Sequence, residues 1–401
     1  MTASTRHALL ALALVAVTGA AHATGPQAAP APGTPAAQPA AAGSLKSAYA
    51  GAFRIGTAVD DDIVAGRDPR SRALVVQHFN VLTPENVMKA EVLHPAPGTW
   101  DFAAADAFVA FGERHDQFLV GHTLVWHNQT PEWFFRDADG APLDADAMTE
   151  RLRDYIRTVA GRYAGRLDAW DVVNEIMGED GEYRDTVWTR ALGDGDTVVR
   201  EAFAAAARAA PDAELYYNDF NTWRPAKRDG IVRMVRMLQD AGIRIDGIGM
   251  QGHWGLHYPP LEEIEASIDA FAALGVKVMI SELDIDVLPL TREGQIIGTV
   301  MAHPQFQLEE FERYLDPYPD GLPPEVERRL AERYAELFAL FHRKREVIDR
   351  VSLWGVHDGM SWKNDYPVPD RTNYPLLFDR DRRPKPALEA VLAVPGAAAG
   401  G

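Results

Sequence analysis

The sequence predicts a closed (β/α)8 barrel of the TIM type. From Ser44 onward, eight short apolar segments alternate with longer segments of helical periodicity, and no break in composition separates them. Polar and tryptophan side chains collect just past the carboxyl ends of those apolar segments, where a barrel gathers its loops at one mouth. A doubly wound sheet would want a glycine-rich turn after its first strand. Arg54-Ile55-Gly56-Thr57-Ala58 is followed by no G-x-G-x-x-G.

At the amino terminus, Arg6 and His7 precede the apolar run Ala8 to Val17, and Ala21-His22-Ala23 gives the A-x-A pattern of a cleaved secretory signal over 1–23. That run is too short for a membrane span. Residues 24–43 are Ala, Pro, Gly, Gln and Thr alone, which reads as an extended linker. The barrel is expected over 44–395, with a flexible tail at 396–401 inside a featureless stretch that starts at Ala390. Export to the periplasm or the medium, with no membrane anchor, is the expected localisation.

The candidate strands are 53–58, 79–82, 118–125, 168–173, 214–218, 245–250, 276–280 and 351–356. Helical stretches between them include 152–163, 198–210, 226–241, 261–274 and 326–345. Two strands end alike: Trp170 to Val173 runs into Asn174 and Glu175, and Val276 to Ile280 runs into Ser281 and Glu282. A carboxylate delivered at each of two strand ends suggests a pair working on one substrate, as in glycoside hydrolysis. Each Glu capping the following helix is the plainer reading.

The composition agrees with a neutral ligand. The 401 residues are 47% hydrophobic, and 40 basic against 58 acidic side chains leave −18, which disfavours nucleic acid and anionic lipid and suits a polysaccharide. Without cysteine there is no disulfide, thiolate metal site or cysteine nucleophile. No cofactor and no metal is expected, and the chain is expected to act as a monomer.

Seven segments in order carry a resemblance: L-T-P-E-N-V-M-K-A-E (82–91), G-H-T-L-V-W-H-N-Q-T-P-E-W (121–133), W-D-V-V-N-E (170–175), Y-N-D-F-N (217–221), G-M-Q-G-H (249–253), I-S-E-L-D-I (280–285) and W-G-V-H-D-G-M-S-W (354–362). The chain thereby resembles the endo-β-1,4-xylanases of glycoside hydrolase family 10. The resemblance implies hydrolysis of xylan and xylo-oligosaccharides by a retaining double displacement, with Glu282 as nucleophile and Glu175 as acid/base. It implies that His253, paired with Asp284, supports Glu282, and that Asn174 grips the sugar 2-hydroxyl. Glu85, Asn86 and Lys89 would bind glycone hydroxyls, although Thr83-Pro84-Glu85 also reads as a helix entry. His122 and Gln251 would contact the −1 sugar, and Trp126, Trp354 and Trp362 would wall it. For Trp170, Trp188 and Trp254 a core role is preferred or left open.

Glu175 is expected to rest protonated, its pKa raised by apolar neighbours and by Glu282. Lys363 stands where many relatives carry arginine, so a bidentate contact would be lost if that position touches substrate. The excursions 289–323 and 363–379 are candidates for shaping the cleft. A retaining β-1,4-glucanase, cellulase or β-mannanase would share both glutamates, and an inactive carbohydrate-binding module is a further alternative. The E-N-x-M-K segment and the tryptophan pair speak for xylan.

Overall fold

The structure, a computed structural model, describes residues 43–288, 316–366 and 369–398. The signal segment, nearly all of the linker and most of the 289–323 excursion lie outside these residues. Nine parallel strands are present among the described residues: β1 Arg54–Val59, β2 Val81–Pro84, β3 Phe118–Val125, β4 Ala169–Asn174, β5 Glu214–Asp219, β6 Gly247–Met250, β7 His253–Gly255, β8 Lys277–Asp286 and β9 Ile348–Leu353. Each of β1 to β6 pairs with the next, β6 pairs with β8, β8 with β9, and β9 returns to β1. The ring closes on eight strands. The ninth, β7, is a short ribbon on the outer half of β8.

Eight helices follow the barrel strands: α1 Pro69–His78, α2 Ala103–Arg114, α3 Ala145–Arg162, α4 Gly195–Ala209, α5 Pro225–Asp240, α6 Leu261–Ala272, α7 Pro324–Arg343 and α8 Pro386–Ala398. Their starts are chemically marked. Asp68, Asp144 and Asp194 accept backbone N–H bonds at the N-caps of α1, α3 and α4, and Pro225 and Pro324 occupy the first positions of α5 and α7. Each buries one stripe. In α3 that stripe is Leu152, Tyr155, Ile156 and Val159, at the spacing a 3.6-residue period requires.

Inside the ring, Val81, Val120, Ala169, Tyr216 and Met279 form a plug of their own, and the buried Arg350 guanidinium lies 4.7 Å from the Tyr216 ring. Among the described residues the interior of the ring is therefore filled by side chains.

Most expected elements are present within a few residues, and the differences have local causes. The last barrel strand covers 348–353 and not 351–356, because Gly355 turns the chain away at φ 125. The strand expected at 276–280 runs on to Asp286, so Glu282 sits inside β8 and caps no helix. Thr83 and Pro84 belong to β2, which removes the helix-entry reading. The stretch from Ala390 is not a frayed tail as far as Ala398. Ala387, Leu388 and Val391 pack on the core, and the Tyr49 hydroxyl donates to Val391 O at 2.7 Å.

Close packing sets the permitted side chains. A Cβ at Gly121 of β3 would lie 2.3 Å from the ring of Trp170, which is fully buried on β4. Gly121→Ala is expected to cost about 1–3 kcal/mol by overpacking. A chemical denaturation midpoint unchanged from the parent would contradict this account of the β3–β4 contact.

Candidate active site

Glu175 and Glu282 are separated by 282 − 175 = 107 residues, and a chain of side-chain amides joins them. The Gln251 Nε2 donates to Glu175 Oε1 at 2.9 Å and lies 3.4 Å from Asn174 Oδ1. The Asn218 Nδ2 donates to the same Asn174 oxygen at 2.9 Å and to Glu282 Oε1 at 2.6 Å. Asn218 is itself oriented by Ser281, whose hydroxyl donates to its Oδ1 at 2.6 Å. Strands β4, β5, β6 and β8 thus deliver both carboxyl groups into one hydrogen-bonded frame.

The backbone at this point is unusual. Glu175 has φ 59, a left-handed conformation uncommon for a side chain without local hydrogen-bonding habits, and its N–H is held by Asn218 O at 2.9 Å. Strand pairing shifts register beside it in β4 and again between Ile280 and Leu283 of β8. Such irregularities re-aim side chains at a barrel rim.

The two carboxyl groups have different surroundings. Glu282 is buried and faces His253, whose Nε2 lies 3.1 Å from Glu282 Oε2, while Nδ1 lies 3.0 Å from Asp284 Oδ1. With a carboxylate at each ring nitrogen, the imidazole is best accommodated as the doubly protonated cation. Burial opposes this, but Asp284 and Glu282 outweigh it and push the ring up to about 9. Asp284 also accepts from Trp362 Nε1 at 2.9 Å and lies 3.6 Å from Lys363 Nζ. Burial raises its carboxyl, and His253 and Lys363 hold it below the ordinary value all the same.

Glu175 departs from the expectation of a raised pKa. Burial does push it up, but hydrogen bonds from Gln251 and from Trp126 Nε1, the latter at 2.9 Å, together with nearby His127 and Arg184, leave it below the ordinary glutamate value. Both of its oxygens are met by N–H donors, which favour the charged form. The sequence pattern did not reveal these donors because they come from β3 and the end of β6.

The remaining expected residues surround this frame. Lys89 Nζ donates to Asn86 Oδ1 at 2.8 Å and to Gln129 Oε1 at 2.7 Å, and it sits 5.0 Å from the Trp126 ring. Burial lowers its pKa against the pull of Glu282, Glu85 and Glu175. Glu85 is half-buried beside it, raised by burial and lowered by Lys89. His122 is buried, with Nδ1 2.9 Å from Asp171 Oδ2 and its ring 5.3 Å from Trp354. The Trp362 ring lies 4.9 Å from His253 and stacks on Tyr366 at 5.3 Å.

Trp170, Trp188 and Trp254 are core. Lys363 is buried beneath Trp362, between Asp284 and Asp286, so its ammonium serves the charges under the site. Asn218 joins this frame without a role assigned to it from the sequence. Its signal was present, a polar residue closing an apolar strand inside Y-N-D-F-N. Among the described residues no group of three or more His, Asp or Glu side chains is arranged to hold a metal.

Comparison with known proteins gives consistent findings. Residues 44–394 match the profile of Glycosyl hydrolase family 10. The chain is 38% identical over 349 residues to endo-1,4-beta-xylanase A of Xylanibacter ruminicola, covering 87% of this chain and 92% of that one. It is 39% identical over 356 residues to an endo-1,4-beta-xylanase of Geobacillus stearothermophilus, covering 88% and 98%. A solved endoxylanase from a sugarcane soil metagenome superposes with a TM-score of 0.81 at 42% identity, covering 88% of this chain and 99% of that one.

The charge on His253 makes a pH prediction. A group raised from an ordinary 6.5 to about 9 contributes stability that is complete below pH 6.5 and is lost as pH rises through 9. Unfolding free energy measured by denaturant should therefore fall across that window, and His253→Asn should flatten the fall. Equal slopes in the two proteins would show that the ring is neutral.

Proposed function

Because this chain belongs to glycosyl hydrolase family 10, we propose that it is an endo-1,4-β-xylanase acting by double displacement, with Glu282 as nucleophile and Glu175 as acid/base. The observation that supports this most is the single amide frame that holds both carboxyl groups at the barrel mouth in unlike surroundings. A retaining mechanism asks for two such groups, one kept ionised and one able to gain and lose a proton.

Glu282 faces the His253 imidazolium, and its Oε1 is fixed by Asn218. It attacks the anomeric carbon while Glu175 protonates the leaving oxygen. In the free protein Glu175 is poised as the base, since Gln251 and Trp126 stabilise its anion. Sugar filling the cleft removes water, deepens burial and leaves Glu282 as an unscreened neighbour, and each of these raises the Glu175 pKa. Once Glu282 becomes an ester its charge is gone, and Glu175 reverts to the anion that activates water. The proton affinity of one carboxyl follows the state of the other.

Asn174 supports transition-state binding. Its Oδ1 already accepts from Asn218, which leaves the Nδ2 donor for the sugar 2-hydroxyl, a contact that strengthens as charge develops at the neighbouring carbon. Trp354 and Trp362 are assigned to the ring faces, Trp126 and His122 to the same sugar, and Glu85, Asn86 and Lys89 to the glycone hydroxyls. The reading includes export through residues 1–23 and action as a monomer on xylan. It is supported there by the basic, apolar and A-x-A succession in the sequence. No described helix is long and apolar enough to cross a membrane.

Glu282→Ala is expected to abolish turnover of every substrate. Glu175→Ala should lose roughly 10²–10⁴-fold on xylan, the usual contribution of general acid catalysis, while an aryl xylobioside with a good leaving group keeps a near-normal first step. Equal losses on both substrates would remove Glu175 from the acid role. NMR of fresh products should show retained β configuration, and an α product would end the double displacement.

A further inference from the structure

The left-handed backbone at Glu175 has to be held by its surroundings. A glutamate at φ 59 is costly, and such a conformation persists only where neighbouring structure over-determines it. The segment 176–184 leads the chain away from β4. Arg184 closes it, donating its N–H to Ile176 O at 2.8 Å and its Nε hydrogen to Met177 O at 3.0 Å. The closed loop lies directly on the first two turns of α5. A Cβ on Gly181 would come within 2.2 Å of Ala226 O, and one on Gly230 within 2.3 Å of Gly181 O, so neither position admits a side chain.

Beside that contact is a charged pair that the chemistry described above does not use. Lys227 Nζ lies 2.8 Å from Asp219 Oδ1, and neither side chain has any exposed surface. Withdrawing two full charges from water commonly costs more than their attraction returns, and apolar residues of the same volume often serve stability as well. The pair therefore calls for a role other than stability.

Its connections lead to the loop. Asp219 accepts the Tyr217 hydroxyl, and the oxygen of that hydroxyl accepts the N–H of Met177, two residues beyond Glu175, at 3.1 Å. Lys227 Nζ also lies 3.4 Å from Glu179 Oε1, and Arg224 Nε lies 3.0 Å from the other oxygen of that carboxylate. The loop is thus tied at Met177 and again at Glu179, and both ties converge on Lys227. On the barrel side, the Asn218 carbonyl holds the Glu175 N–H at 2.9 Å, and the Asp219 carbonyl holds the Gln251 N–H at 3.0 Å. Burial raises the Asp219 carboxyl, Lys227 lowers it, and the Glu175 charge raises it again, so the pair lies within electrostatic reach of Glu175.

We propose that Asp219, Lys227 and Tyr217 are positioning residues for Glu175: the buried ion pair anchors the loop after β4 and thereby aims the Glu175 carboxyl at the leaving oxygen, although none of the three is exposed to substrate. It rests on the reading of Glu175 as the acid/base of a xylanase. A misplaced general acid slows the steps that move a proton and spares those that do not.

The test measures kcat and KM of the unaltered protein, Tyr217→Phe, Lys227→Met and, as reference, Glu175→Ala on two substrates. Xylohexaose has a sugar leaving group that needs a proton, and a dinitrophenyl β-xylobioside has one that departs without it. On xylohexaose kcat/KM should fall about tenfold in Lys227→Met and about threefold in Tyr217→Phe. On the dinitrophenyl substrate kcat/KM should stay within about twofold while kcat and KM fall together, because the glycosyl ester accumulates when the base that activates water is misplaced. A loss of folded protein lowers both substrates alike, so an equal fall overturns the proposal, and so do unchanged constants. Tyr217→Phe removes one oxygen and keeps the ring, so it decides alone if Lys227→Met does not fold. Equal losses on both substrates in Glu175→Ala would instead overturn the acid/base reading, and no turnover of either by the unaltered protein would overturn the xylanase reading itself.

Discussion

The site depends on one side-chain amide. Asn218 donates from a single nitrogen to Glu282 and to Asn174, and its oxygen is occupied by Ser281. Because it sits at the end of β5, between the strands that carry the two glutamates, it converts strand order into carboxyl geometry. A buried amide with its donors and acceptor engaged has little freedom to rotate, so the frame is set before substrate arrives. Gly249 shows how tightly it is set. A Cβ there would lie 2.3 Å from Asn218 Oδ1, so the neighbouring strand must be bare at that position.

Around that frame the charges form an ordered series. Lys363 lies near Asp284 and Asp286, Asp284 faces His253, and His253 faces Glu282. Positive and negative groups alternate from beneath Trp362 up to the Glu282 carboxylate. Buried charges are costly unless each has a partner, and here each member supplies its neighbour's. The arrangement sets a cation against Glu282 while burying it from water.

Much of this was legible in the chain. The strands that deliver Glu175 and Glu282 announced themselves because apolar runs ended in carboxylates that had no apolar face to occupy. The resemblance then linked His253 to Asp284 and Glu282, and the structure brings these three together. What the sequence could not carry was the third dimension of hydrogen bonding. Gln251 and Trp126 lie 76 and 49 residues from Glu175, and their N–H groups reverse the direction of its pKa. Asn218 stands in the sequence only as one letter of Y-N-D-F-N, and its importance lies in what flanks it. The misread carboxyl-terminal stretch failed for a different reason. Alanine-rich sequence without charge looks featureless, yet alanine is a strong helix former, and Leu388 with Val391 is enough to seat it.

The contact between Tyr49 and Val391 ties the segment before β1 to the last helix, 342 residues later in sequence. Since β9 pairs with β1, the polypeptide leaves the ring beside the place where it entered. A circular permutant that joined these two regions by a short loop and opened the chain elsewhere would keep every barrel strand next to its present neighbours. The order in which the strands are synthesised is in that sense separable from the cylinder they make.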